Sequence, residues 1–169
     1  SISSDSQLRS FTFWTLGGLD RGTWNIVIIL YLVILTTYSI IFLLREKLDI
    51  FMLGDAEAYH LGINVENLKK IIILISSLMV GVTVSFCGMI GFIGLVTPHL
   101  IRLLIGPNHK FLIPGSALLG SIILVIADLI SKSVIAPAQL PVGVVTSSIG
   151  APIFMWLIYN QRKRIGYSE

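Results

Sequence analysis

From Ile26 to Leu44 the chain runs 19 residues without a charge, most of them aliphatic. A helix of that length is about 28 Å long, close to the thickness of a bilayer's hydrocarbon core. In water so long an apolar rod has no partner large enough to hide it, so this stretch alone points to a membrane protein. The rest of the chain agrees. Of its 169 residues 54% are hydrophobic and only 12% charged, where a soluble domain carries about 25% charged residues. The mean hydropathy is +0.88. No strand pattern is convincing in this setting, because open sheets leave backbone groups unsatisfied in lipid. The expected fold is all-α, a polytopic transmembrane helical bundle.

Uncharged runs and their punctuation divide the chain. Residues 1–24 are polar, with Trp14 and Trp24, and read as an outer loop or short helix in the headgroup zone that Trp favours. The first span covers about 25–44 and ends at Arg45, Glu46, Lys47 and Asp49. Residues 50–66 carry Asp55, Glu57, His60 and Glu66 among apolar positions and read as one or two short amphipathic helices outside the hydrocarbon. Lys69 and Lys70 open a second span, about 71–88. Within it Ser77, Gly81 and Ser85 recur every four residues, a small face that lets another helix approach closely. The uncharged run from Ile71 to Val96 is 26 residues. That is too long for one upright span and too short for two with a polar loop between, so a tight turn is expected near Gly88–Gly91. A short third span, about 92–106, contains Pro98, His99 and Arg102. Gly106-Pro107-Asn108-His109-Lys110 is a turn. The fourth span, about 112–131, closes on Asp128 and Lys132. Pro137 and Pro141 bracket a turn or short helix, and the fifth span, about 142–159, is followed by Arg162, Lys163 and Arg164.

Five spans put the chain ends on opposite sides. With the C-terminus in the cytoplasm, Arg45, Lys47, Lys69, Lys70, Arg102, Lys110 and the three basic residues at 162–164 lie inside or near the inner face, nine in all. Arg9, Arg21 and Lys132, three in all, lie outside. This distribution obeys the positive-inside rule and the reverse orientation violates it. The expected location is the cytoplasmic membrane.

Several function classes are disfavoured. A net charge of +3 with dispersed basic residues does not make a nucleic-acid surface. The single Cys87 has no Cys or His at metal spacing and reads as a packed thiol, so neither a metal site nor a cofactor is expected. There is no G-x-x-x-x-G-K-[ST] phosphate loop, no G-x-S-x-G elbow, no H-E-x-x-H and no pair of carboxylates facing a pocket. No catalytic residue is therefore expected, and any energy source must reside in another protein. The chain opens on Ser1 and no basic or cleavable segment precedes the first apolar run, so a piece of a longer chain is expected.

Three segments carry function candidates. Gly54 and Gly62 bracket about two helical turns containing Asp55, Ala58 and Leu61. This is either a coupling helix that docks on a cytoplasmic partner or an ordinary interfacial loop. Gly91-Phe92-Ile93-Gly94-Leu95-Val96-Thr97-Pro98-His99-Leu100-Ile101-Arg102 places a proline, a histidine and an arginine inside a membrane segment. Such groups face a protein interior or a watery path. The alternatives are a broken helix at a hinge or pathway, and plain packing with Arg102 snorkelling to the inner face. Asp128 and Lys132 stand four apart and either pair along one helix face or leave Lys132 for an acidic partner at the outer surface.

Together these segments resemble the permease family of ABC importers for iron-siderophores, haem and vitamin B12, the type II importers. The resemblance runs from Trp14 to about Ile158. GFIGLVTPHLIRLL at 91–104, ADLISK at 127–132 and LPVGVVTSSIGAPIFMWL at 140–157 match the family's run of residues in order and register. It implies a subunit of about ten spans working as a dimer, of which this chain is similar to the last five. It implies cytoplasmic ATPase subunits, an extracytoplasmic substrate-binding protein and a second permease subunit as partners, in a lipid membrane. The stretch Gly54, Asp55, Ala58, Leu61 and Gly62 resembles the family's ATPase-coupling helix, with Asp55 where Glu is frequent. Lys132 stands where family members often carry an outer-face Arg that meets a Glu of the binding protein, and Gln139 stands where Glu is common. Gly88, Gly91, Gly94, Pro98, His99 and Arg102 are then hinge or packing residues. The implied cargo is an iron chelate, a siderophore or haem. Alternatives are a cobalamin importer, or a transporter driven by an ion gradient with His99 and Asp128 as its relay.

Overall fold

The computed structural model describes residues 7, 11, 14–19, 22–134 and 140–165. Arg9, Arg21, Pro137 and Gln139, and the side chains of Arg162, Lys163 and Arg164, lie outside the described residues. The described residues contain helices and turns and no strand.

Helix α1, Trp24–Leu43, starts where the Thr23 hydroxyl accepts from the Ile26 N–H. Two short helices follow, α2 at Arg45–Phe51 and α3 at Asp55–His60. Helix α4 covers Val65–Cys87 and begins six residues before the expected span. The reason is Asn64, whose Oδ1 accepts from the Asn67 N–H at 3.0 Å and caps the first turn. The polar first turn with Glu66, Lys69 and Lys70 is thus helical, below the apolar run that the sequence marks.

Helix α5, Ile93–Ile105, has 13 residues and is about 20 Å long, too short to cross a bilayer by itself. Helix α6, His109–Ser133, is capped by Asn108, and α7 covers Val142–Ile165. Helices α1, α4, α6 and α7 are each long and apolar enough to cross a membrane. The five-span expectation therefore becomes four full-length helices and one short apolar helix.

Helix α1 packs on α4, and α5, α6 and α7 pack on one another. The most extensive contact is α5 on α6. A Cβ on Gly115 would stand 3.0 Å from Ile101, and one on Gly120 would stand 3.5 Å from Ile93 and 3.7 Å from Thr97. Two glycines of α6 thus let α5 lie almost on its backbone, the close approach by which membrane helices gain packing energy without a hydrophobic drive between them. The small face expected to do this, Ser77, Gly81 and Ser85 on α4, instead points outward. Among the described residues nothing lies within 4 Å of a Cβ on Gly81.

Ala127, Val142 and Val145, with Leu124 against them, form the buried cluster between α6 and α7. The buried hydroxyls of Thr37, Thr97 and Thr146 each donate to a carbonyl of their own helix, which satisfies them without a tertiary partner. Only 6% of the apolar window is buried in α1, α4 and α6, against 33% in α7. Most of the apolar surface therefore faces lipid or other protein.

Candidate functional site

The polar groups concentrate at one end of the bundle, on the segment between α1 and α4. Gly54 opens α3 at φ +118°, a conformation that L side chains rarely adopt, and a Cβ there would meet the Glu57 carboxylate at 2.9 Å. Gly62 closes α3 at φ +82°. Its N–H donates to the Tyr59 carbonyl at 2.9 Å, and the Ile63 N–H donates to the Ala58 carbonyl at 3.0 Å. These are the paired bonds of a Schellman ending, which needs a left-handed residue at the glycine position. Both glycines that bracket the candidate are therefore demanded by the backbone.

Between them, Ala58 is fully buried, and α3 packs on α2 and α4. Asp55 pairs with Lys69 of α4 at 2.5 Å, and Glu66 pairs with Lys70 at 2.8 Å. The outward face carries Leu53, Tyr59 and Leu61, exposed by 64%, 74% and 61%. An open groove of about 790 Å³ runs beside it, lined among others by Asp55, Tyr59, Asn64, Glu66 and Lys69. The helix is thus held on its inner side through Ala58, and its exposed side sets Leu53, Tyr59 and Leu61 beside the polar Asp55, Glu57 and His60.

A second anchor lies one helix earlier. Oδ1 of Asp49 on α2 accepts from the His109 backbone N–H at 2.9 Å and lies 2.6 Å from the His109 Nδ1. Burial works to raise the Asp49 pKa. The His109 backbone N–H, the His109 ring and then Arg45 together lower it by more, so the carboxyl sits below its ordinary value of 3.8. Neither residue was singled out by the sequence. They are 60 positions apart and no local pattern links them.

At the opposite end the chain breaks between α4 and α5. Gly88 at φ +69° ends α4, its N–H donating to the Val84 carbonyl. The backbone groups freed there are satisfied by residues 14–18. The Gly18 N–H donates to the Cys87 carbonyl at 2.9 Å, and the Met89 N–H donates to the Trp14 carbonyl at 3.3 Å. Irregular backbone survives at membrane depth only when protein or a watery cavity covers it, and here protein does. Phe92 opens α5 at φ +67°, the one non-glycine residue in the left-handed region among the described residues. A Cβ on Gly150 of α7 would collide with the Phe92 Cβ. Gly143 is equally constrained, since a Cβ there would collide with the Leu16 carbonyl. The sequence reading missed Phe92, Gly143 and Gly150, though two glycines seven apart on one helix are a legible packing stripe.

The hinge candidates separate. Gly88 and Gly91 lie in the break, and a Cβ on Gly91 would stand 3.6 Å from the Ser147 hydroxyl. Gly94 is exposed and no packing requires it. Pro98 lies inside α5 and removes the bond to the Gly94 carbonyl. His99 is half-buried, and Arg102 is exposed on the last turn of α5. Lys132 pairs with Asp128 at 2.6 Å along the same helix. Among the described residues the buried Asp128 Oδ1 has no hydrogen-bond partner. Among the described residues no group of three or more His, Cys, Asp or Glu could hold a metal ion.

The comparisons with known proteins agree with this architecture. Residues 1–160 match the profile of the FecCD transport family. The chain is 44% identical over 163 residues to the hemin transport system permease protein HmuU of Yersinia pestis, covering 96% of this chain and 49% of that protein. It is 40% identical over 157 residues to the vitamin B12 import system permease protein BtuC of Vibrio cholerae, covering 93% of this chain and 47% of that one. A solved inward-facing structure assigned to the metal-chelate type of ABC transporter superposes with a TM-score of 0.86 at 32% identity. That match covers 93% of this chain and 51% of the other. The chain thus spans about half the length of the curated relatives it matches. Its apolar helices and these permease relatives make it a multi-pass membrane protein. With the profile covering nearly the whole chain, and relatives aligned along both the α3 segment and the α4–α5 break, the chain belongs to the FecCD transport family.

Proposed function

We propose that this chain is permease sequence of an ABC importer that carries an iron chelate, a siderophore or haem, across the cytoplasmic membrane. The observation that carries the proposal is the α3 segment. It is a short helix bounded by Gly54 and Gly62, held through Ala58 and the Asp55–Lys69 pair, and it exposes Leu53, Tyr59 and Leu61 beside acidic residues at the end of a membrane bundle. In this reading that end faces the cytoplasm, where Gly54, Asp55, Ala58, Leu61 and Gly62 form the seat for a separate ATPase subunit. ATP binding there moves the helices against one another, and the Gly88–Phe92 break with Pro98 supplies the hinge. A second permease subunit completes the path. A substrate-binding protein delivers cargo at the opposite end, near Lys132. The names of the relatives support haem as the first cargo to test and cobalamin as the second.

The test is co-purification in detergent of the permease with its candidate ATPase, comparing wild type with a Gly54→Arg, Asp55→Arg double variant. Binding by wild type alone supports the coupling role. If neither form binds an ATPase, the importer reading fails. Uptake of hemin and of cyanocobalamin into proteoliposomes then separates the cargoes. Loss of uptake with an uncoupler at constant ATP would favour the gradient-driven alternative.

A further inference from the structure

The helices form two groups, α1 with α4, and α5 with α6 and α7. The principal helix-to-helix contacts that join the groups run from α1 and α2 to α6. At the opposite end residues 14–18 also bridge them, through Cys87 and the backbone beside Gly143. Helix α3 belongs with the first group. It packs on α2 and α4, and its ion pair through Asp55 is to α4. A load applied to α3 therefore reaches α4 directly. At this end of the bundle it reaches α5, α6 and α7 by way of α2.

The polar contact at that crossing is Asp49 with His109. One carboxylate oxygen accepts from the first N–H of α6 at 2.9 Å and lies 2.6 Å from the ring nitrogen of the same residue. Both side chains are partly covered, 33% and 16% exposed. Two bonds converging on one oxygen fix both the direction and the distance of α2 from the end of α6, where an apolar contact would slide. Beyond His109 the path is stiff. Gly115 and Gly120 seat α5 against α6, and α5 begins at Phe92, wedged against Gly150 of α7.

We propose that the Asp49–His109 contact is the strut that passes movement of the coupling segment to α6, and through α6 to α5 and the Phe92 break. Asp49 and His109 are positioning residues in this inference, which rests on the coupling role of α3 given above.

The test uses the transporter assembled with its ATPase in lipid nanodiscs, in a Cys87→Ser background. Spin labels go on exposed positions of the two groups, Leu32→Cys on α1 and Leu118→Cys on α6, with Leu32→Cys and Leu74→Cys on α1 and α4 as the control pair. ATP with vanadate is the trigger, so no cargo is needed. The expected wild-type result is a change in the α1–α6 distance. In Asp49→Leu and His109→Leu that change falls by more than half, while the ATPase still co-purifies and the control pair behaves as in wild type. The variants Asp49→Asn and His109→Asn keep a hydrogen-bonding atom at the contact and retain most of the change. If the leucine variants move as far as the asparagine variants, the strut is overturned. If the ATPase does not bind the wild-type protein, the coupling role itself falls, and the strut with it.

Discussion

Placing a methyl group on Gly150 should test whether Phe92 determines how α7 meets the α4–α5 break. A Cβ at position 150 would overlap the Phe92 Cβ and stand 3.1 Å from its Cγ. The obstacle is the first atom of the side chain, which no rotamer change can move. The backbone behind it is already in the left-handed region at φ +67°. Either α7 or the 91–93 backbone must shift, and overpacking of this kind costs about 1–3 kcal/mol. Against that, alanine is favoured over glycine inside a helix by about 1 kcal/mol. In a Phe92→Gly background the Cβ is gone and only the helix preference remains. The Gly150→Ala change should then be neutral or stabilising by up to about 1 kcal/mol. The helix preference is common to both backgrounds, so they should differ by about 1–3 kcal/mol, which a double-mutant cycle measures as a coupling energy. The assay is SDS-induced unfolding in mixed micelles, followed by helical circular dichroism, on wild type, the two single variants and the double variant. Equal destabilisation by Gly150→Ala in both backgrounds, within about 0.5 kcal/mol, would refute the reasoning, because something other than Phe92 would then be excluding the methyl.

Other consequences are as direct. Asn64→Ala removes the cap of α4 and should lower stability by about 1 kcal/mol in the same assay, with Asn64→Asp restoring most of it. Ala58→Leu puts a branched side chain where there is no exposed surface, and should cost about 1–3 kcal/mol and reduce ATPase co-purification. Gly62→Ala forces a left-handed alanine at φ +82° and should cost about 1–2 kcal/mol, with faster amide exchange at Ile63. Asp49 has a lowered native pKa, so its contribution to stability is fully present above the ordinary value of 3.8 and is lost as pH falls through the native one. Amide exchange at His109, corrected for intrinsic rate, should therefore not change between about pH 7 and about pH 5 on account of Asp49, and should rise only in stronger acid.

Local features made much of this legible. The 19 uncharged residues from 26 to 44 required a membrane helix, because no soluble core could cover them. Gly54 and Gly62 marked the ends of α3, since a glycine beside an amphipathic turn is where the backbone takes a positive φ. Asp128 and Lys132, four apart, stood where they could pair along one helix face, and they do. Each of these is carried by one contiguous stretch of chain, and that is the range over which spacing carries physical information.

Other features depended on where distant segments meet. The Ser77–Gly81–Ser85 stripe has the composition of a packing face yet points away from the other helices of the chain. Gly115 and Gly120, scarcely distinguishable from it by sequence, seat α5 on α6. Phe92 tolerates a positive φ because Gly150, 58 residues later, leaves room for its Cβ. Asp49 finds His109 across 60 residues because α2 ends up beside the start of α6. Composition and local spacing thus determined the solvent, the helices and their caps. Which faces meet was decided by the tertiary structure, because in lipid all apolar faces are nearly alike and only shape and a few polar bonds choose among them.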